Sequence, residues 1–141
     1  MLIVSSAQAK IEFDRLYTCT IFESNNANVP NGISTRPHVT LNEIKSSGAI
    51  YLNAPTWRLI EFYGPLEQLS TTSGPSDYVT LARRYGEIQG TIQVQPKSEN
   101  QITLIITLNL MGRAYDSQTG QQYFVLTNVS EQYKMSCDAE P

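Results

Sequence analysis

The sequence predicts an α+β, β-dominated fold, an antiparallel meander sheet with two short helices from the middle segment packed on it. Three observations carry this reading. Residues 101–111 run Gln-Ile-Thr-Leu-Ile-Ile-Thr-Leu-Asn-Leu-Met, so Ile102, Leu104, Ile106, Leu108 and Leu110 share one side of a period-2 ribbon. Just before it, Ile88, Gly90, Ile92 and Val94 alternate with Gln89, Thr91, Gln93 and Gln95. Between residues 40 and 69, by contrast, the apolar spacing turns helical and is bounded by breakers. At 141 residues the chain suits a single domain, 1–141, able to bury about two-thirds of its unfolded surface.

Taken in order, Ala9 to Glu23 is rich in Ile, Phe, Tyr and Thr and reads as a strand with a kink at Asp14-Arg15. Ser24 to Gly32 is a polar cluster with Pro and Gly, and a mobile loop is expected there. Thr40-Leu41-Asn42-Glu43 has capping-box form: the Thr hydroxyl accepts from the third helical amide, and a helix starts near Leu41 to end at Ser46-Ser47-Gly48. Ala49 to Leu52 is a short piece, extended or helical. From Thr56 to Tyr63, Trp57, Leu59, Ile60, Phe62 and Tyr63 fit a second helix entered behind Pro55, with one more turn at Leu66–Leu69 after the Gly64-Pro65 break.

The loop Ser70 to Ser76 then leads into β pattern to the end. Tyr78 to Arg84 forms one strand, Ile88 to Gln95 the next, and Pro96 to Asn100 the turn into the long ribbon, which extends toward Tyr115. Asp116-Ser117-Gln118-Thr119-Gly120 supplies a further turn, with Gly at a left-handed position, and Tyr123 to Val129 returns.

Polarity comes from amides and hydroxyls rather than from ions. Charged residues make up 16%, while Ser, Thr, Asn and Gln supply about a third of the chain. Surfaces of this kind pack against copies of themselves without like-charge repulsion. A net charge of −3 provides no global attraction for phosphate backbones, and no apolar stretch has the length needed to cross a bilayer. Leu2-Ile3-Val4 with Ala7-Gln8-Ala9 lacks the basic start and the long apolar core of a secretory signal, so none is assumed.

Cys19 and Cys137 match no zinc spacing. A bond between them would close almost the whole chain; a buried free thiol at Cys19, inside Tyr17-Thr18-Cys19-Thr20-Ile21-Phe22, is the reading the local pattern favours. The only histidine, His38, has no nucleophile partner and reads as solvated or structural, and the glycines of Gly86-Glu87-Ile88-Gln89-Gly90 read as a bulge or bend. Trp57 reads as a core anchor, with Tyr51 and Leu52 the place for an aromatic lipid contact if one exists. No pairing of Glu43, Glu61 or Glu67 suggests acid–base work, so no enzymatic role, metal, cofactor or small-molecule substrate is expected.

The order of elements, with Arg36-Pro37-His38-Val39-Thr40 leading into a short helix, Tyr51 to Leu69 as a second helical segment and then a β meander, resembles the matrix-protein core of rhabdoviruses and related negative-strand RNA viruses over residues 15–112. The resemblance implies a small self-associating α+β protein that coats a nucleocapsid and lines the inner face of an envelope. The lysine-rich tail and Pro-Pro-x-Tyr motif usual in that family are not in this chain.

The expected role is a non-enzymatic structural subunit that self-associates in a virion or other supramolecular assembly, as a matrix, capsid or tail-like component. Contacts are expected from the loops Asn25 to Asn31 and Ser70 to Ser76, through Asn25, Asn26, Asn28, Pro30, Thr71 and Ser73, and from the uncharged sheet face at Thr103, Thr107 and Asn109. Two alternatives stay open. One is a β-domain binding single-stranded nucleic acid through Arg83, Arg84, Tyr85, Arg113 and Tyr115. The other is a secreted ligand-binding or adhesion domain, which a Cys19–Cys137 disulfide would favour. The location expected is a virion or host cytoplasm for the viral reading and extracellular otherwise.

Overall fold

A computed structural model describes residues 11–27, 29–36, 38–53, 58–62, 64–69, 79–85 and 88–140. In chain order the elements are β1 (Tyr17–Ser24), α1 (Leu41–Ser47), β2 (Ala49–Leu52), β3 (Arg58–Glu61), β4 (Glu67–Leu69), β5 (Val79–Tyr85), β6 (Ile88–Ser98), β7 (Gln101–Tyr115) and β8 (Gln122–Ala139). Six strands form an antiparallel sheet in the order β1-β8-β7-β6-β5-β4, and β2 and β3 form a separate antiparallel pair.

The alternation of β7 sets the layering. Ile102, Leu104 and Ile106 are fully buried, as are Ile92 and Val94 on β6, Leu81 on β5 and Tyr133, Met135 and Cys137 on β8. This face is covered by Leu41 and Ile44 of α1, Ile50 and Leu52 of β2, Ile60 of β3, and Phe62 and Leu66 beyond it, all in one hydrophobic cluster. The helix is short because its ends are specified locally. The Thr40 hydroxyl accepts from the Glu43 amide at 3.1 Å, and Gly48 takes the left-handed conformation (φ 64°) while its amide donates to the Ile44 carbonyl at 2.8 Å.

The free edge of β1 is not left open. Residues 32–36 and 38–39 run along it: Gly32 donates to Ile21, Ile21 to Ile33, Thr35 to Cys19, and Tyr17 and Val39 exchange bonds at 2.8 and 3.0 Å. The same segment is tied on its far side to β2, Arg36 donating to Tyr51 and Asn53 to Ser34. The sheet thereby curls through this strap into the β2–β3 pair. The chain leaving β3 then returns to the main sheet, where Phe62 meets Gly90 of β6 and Gly64 meets the Arg83 guanidinium of β5.

Several expectations are corrected. The middle segment contributes one helix, not two: the predicted second helix, where described, is β3, registered against β2 from Ala49↔Glu61 to Leu52↔Arg58. Ile60 and Phe62 are buried and Glu61 between them is exposed, a period of two that the crowded apolar residues of this stretch also satisfy; the β2 ladder decides between the two periods. The turn foreseen at Leu66–Leu69 is instead the edge strand β4, paired with β5. Gly90 marks neither bulge nor bend. It keeps regular register with Arg83 and Leu108, and its missing side chain makes room for Phe62. The opening strand starts only at Tyr17 among the described residues, and the last strand runs ten residues past Val129. Trp57 and the loop Ser70–Ser76 lie outside the described residues.

Candidate self-association surface

The sheet face turned away from α1 and the β2–β3 pair carries the alternate side chains of five strands. Along the register, Thr20, Ser136, Thr103 and Gln95 make one row across β1, β8, β7 and β6. Lys134, Ile105, Gln93 and Thr80 make the next, and Gln132, Thr107 and Thr91 a third. Each of these side chains is partly or fully exposed. The one charge among them, Lys134, is paired with Glu23 of β1 at 3.1 Å.

A β-bulge between Ile21 and Glu23 leaves Phe22 half-exposed beside this pair. Asn109, also partly exposed, sits at the irregularity between Asn109 and Met111, beyond which β7 and β8 continue as a ribbon from Met111↔Leu126 to Tyr115↔Gln122. Asp116 closes that ribbon's turn, its carboxylate accepting from the amides of Gln118 and Thr119 and its carbonyl from Gly120, which is left-handed (φ 70°).

The first predicted loop is pinned rather than mobile where it is described. Asn25 acts as an extra rung on β8: its side-chain amide donates to the Ser130 carbonyl at 3.0 Å, its side-chain oxygen accepts from the Gln132 amide at 2.8 Å, and its own amide donates to the Gln132 carbonyl. Asn26 donates to the hydroxyl of the buried Tyr133, which itself donates to Glu131. Val29 is buried, so this loop is anchored at both ends. Neither asparagine fits a flexible lateral arm. Pro30 is exposed, while Asn28, Thr71 and Ser73 lie outside the described residues.

Of the candidate nucleic-acid residues, Arg83 does not lie on this surface. Arg83 points to the opposite face, against Gly64, because alternation sends it to the side of Leu81 and Val79. For Arg84, Tyr85, Arg113 and Tyr115 the backbone alone is described, the first two at the end of β5 and the last two on the ribbon.

Cys19 and Cys137 form a disulfide across directly paired residues of β1 and β8. This corrects the free-thiol reading. The backbone N–H and C=O of Cys19 turn to Thr35 in the strap, so Cys19 and Cys137 are a non-hydrogen-bonded pair, the arrangement that brings opposed side chains closest. That neighbourhood depends on residues 118 apart being brought into register, which local pattern does not reveal.

Lys134, Ser136 and Gln132 were missed as surface residues together with the strand that carries them. The signal was present: in residues 130–139 Tyr133, Met135 and Cys137 alternate with Gln132, Lys134, Ser136 and Asp138. Among the described residues no group of three or more His, Cys, Asp or Glu side chains is placed to hold a metal, and no helix is long and apolar enough to cross a membrane. Compared with protein-family models, curated proteins and solved structures, the chain finds no match.

Proposed function

We propose that this protein is a non-enzymatic structural subunit that self-associates through the open face of its sheet, with a second copy as the partner. The observation that carries the reading is the chemistry of that face. Thr, Ser and Gln rows surround Ile105; among the described side chains of the face, Lys134 is paired with Glu23, and the carboxylate of Asp138 lies at the sheet end, accepting from Gln101. A two-fold interface sets one patch against its own copy, so an excess of one sign of charge on the patch opposes association. Here hydroxyls and amides meet, each able to donate and accept, around an aliphatic centre.

The disulfide bears on where such an assembly works. Bonds of this kind persist in oxidising surroundings and on virion or cell surfaces. This supports a particle-surface or extracellular subunit over the narrower matrix-protein reading, whose place is the inner side of an envelope. It equally favours the secreted binding-domain alternative, in which the protein stays monomeric.

Light scattering over a range of concentration and salt, followed by negative-stain microscopy, separates these readings. Association that grows with concentration, survives salt and is abolished by Ile105→Lys without loss of fold supports self-assembly. A strictly monomeric protein at high concentration, or unchanged association in Ile105→Lys, overturns it.

A further inference from the structure

On the other side of the molecule, the strap, α1 and β2 enclose a groove of about 390 Å³ lined by Arg36, His38, Glu43, Ile44, Ser47 and Tyr51. The volume falls within the range of small-molecule sites. Its residues arrive from three elements, and hydrogen bonds tie the strap to β2 and to β1. The Arg36 amide donates to the Tyr51 carbonyl at 3.2 Å, and the Val39 amide donates to Tyr17 at 3.0 Å.

Three features distinguish the groove from an ordinary surface cleft. Tyr51 is 46% exposed on the outer side of β2, with the Arg36 guanidinium 5.2 Å from its ring centroid, so an aromatic plane is held in place at the solvent boundary. His38 has φ 67°, the only non-glycine residue at positive φ in the described chain, a left-handed conformation that persists where its surroundings impose it. Its Nδ1 lies 2.5 Å from a Glu140 carboxylate oxygen, which leaves Nε2 as the nitrogen for a ligand. The Glu140 contact orients an exposed imidazole that solvent alone would leave free to rotate.

The charge balance of the lining selects the ligand class. The Arg36 guanidinium is accompanied by the Glu43 carboxylate and by the Glu140 carboxylate against His38, so the groove has no excess of positive charge with which to choose phosphate or sulfate. It has donors at Arg36, an acceptor at Glu43 and the imidazole of His38, beside an aromatic ring and the aliphatic floor of Ile44. A pyranose has this pattern in complement, with a rim of hydroxyls that donate and accept and a face of C–H groups that packs on an aromatic ring.

We propose that the groove binds one neutral sugar unit, stacked on Tyr51 and held by polar contacts to Arg36, His38 and Glu43. The site is independent of the open sheet face, since the β2 and α1 layer separates the two. A self-assembled array would therefore still present it.

The test is a titration of the wild-type protein followed by NMR, with glucose, galactose, mannose and N-acetylglucosamine as probes and inorganic phosphate and acetate as anion controls. At least one sugar is expected to shift residues 36–51 saturably. Tyr51→Ala, at an exposed position, should weaken that binding by about tenfold or more while leaving the remaining spectrum intact, and Glu43→Gln should weaken it less. The proposal is overturned if no sugar gives saturable shifts there, if Tyr51→Ala binds as well as wild type, or if phosphate or acetate saturates the same resonances more tightly than any sugar.

Discussion

The ring edge of Phe62 fills the space that a side chain on Gly90 would need: a Cβ there would stand 2.6 Å from the ring's Cδ1 and 2.8 Å from its Cε1. This contact ties the chain leaving β3 to the centre of β6. Gly90→Ala is expected to cost about 1–3 kcal/mol by overpacking, and Phe62→Ala about 3–5 kcal/mol by opening a cavity. In the Phe62→Ala background the Gly90→Ala penalty should largely disappear. Urea unfolding of the four proteins of this cycle measures the coupling, and additive penalties would show that the two residues do not share the space.

The disulfide spans 118 residues, and the loop-entropy model assigns such a closure about 4–5 kcal/mol. Cys19→Ala/Cys137→Ala is expected to lower unfolding stability by an amount of that order. Both cysteines are 1% exposed or less, so reductant should reach the bond only through opening of the β1–β8 seam. Thiol labelling in native buffer should therefore be slow and should accelerate sharply in urea; rapid reduction of the native protein would contradict the buried placement.

The Tyr17 hydroxyl is buried with no well-formed hydrogen bond among the described residues, and burial, the largest influence on it, pushes its pKa upward against the lowering effects of Arg15 and the Glu12 backbone. The sign follows directly. A raised pKa in the fold means that the neutral phenol is the form the fold favours. Its contribution is fully present below the unfolded value of about 10 and is lost as pH rises through the folded value. Wild-type stability should fall through this alkaline range by more than that of Tyr17→Phe. At neutral pH Tyr17→Phe should be at least as stable, because it removes an unsatisfied polar atom. Denaturant titrations at neutral and strongly alkaline pH compare the two.

Asn25 makes three hydrogen bonds to β8, two through its side chain. Asn25→Ala leaves the Gln132 amide without that acceptor and should cost about 1–2 kcal/mol. Hydrogen exchange at Gln132 should rise in the variant. Unchanged protection there would show that the loop does not act as a rung of the sheet.

Much of the sheet was legible because its information is local. The strict alternation of Ile102, Leu104 and Ile106 with Thr103, Ile105 and Thr107 assigns both period and face, and Thr40 with Gly48 brackets the single helix. The uncharged surface was visible in the same way, since residues two apart on a strand share a side whatever their partners.

What the chain alone determined, then, is where β5, β6, β7 and the one well-capped helix run, and that the exposed side of β7 is largely a row of hydroxyls and amides. Tertiary structure decided the rest. The crowded apolar residues near Ile60 satisfy two periods, and only pairing with β2 selects the strand. Asn25, Cys19 and Gly90 have nothing in their immediate neighbourhood to announce a rung, a disulfide or a space for a ring. Their roles depend on Gln132, Cys137 and Phe62, which non-local packing and strand register bring beside them.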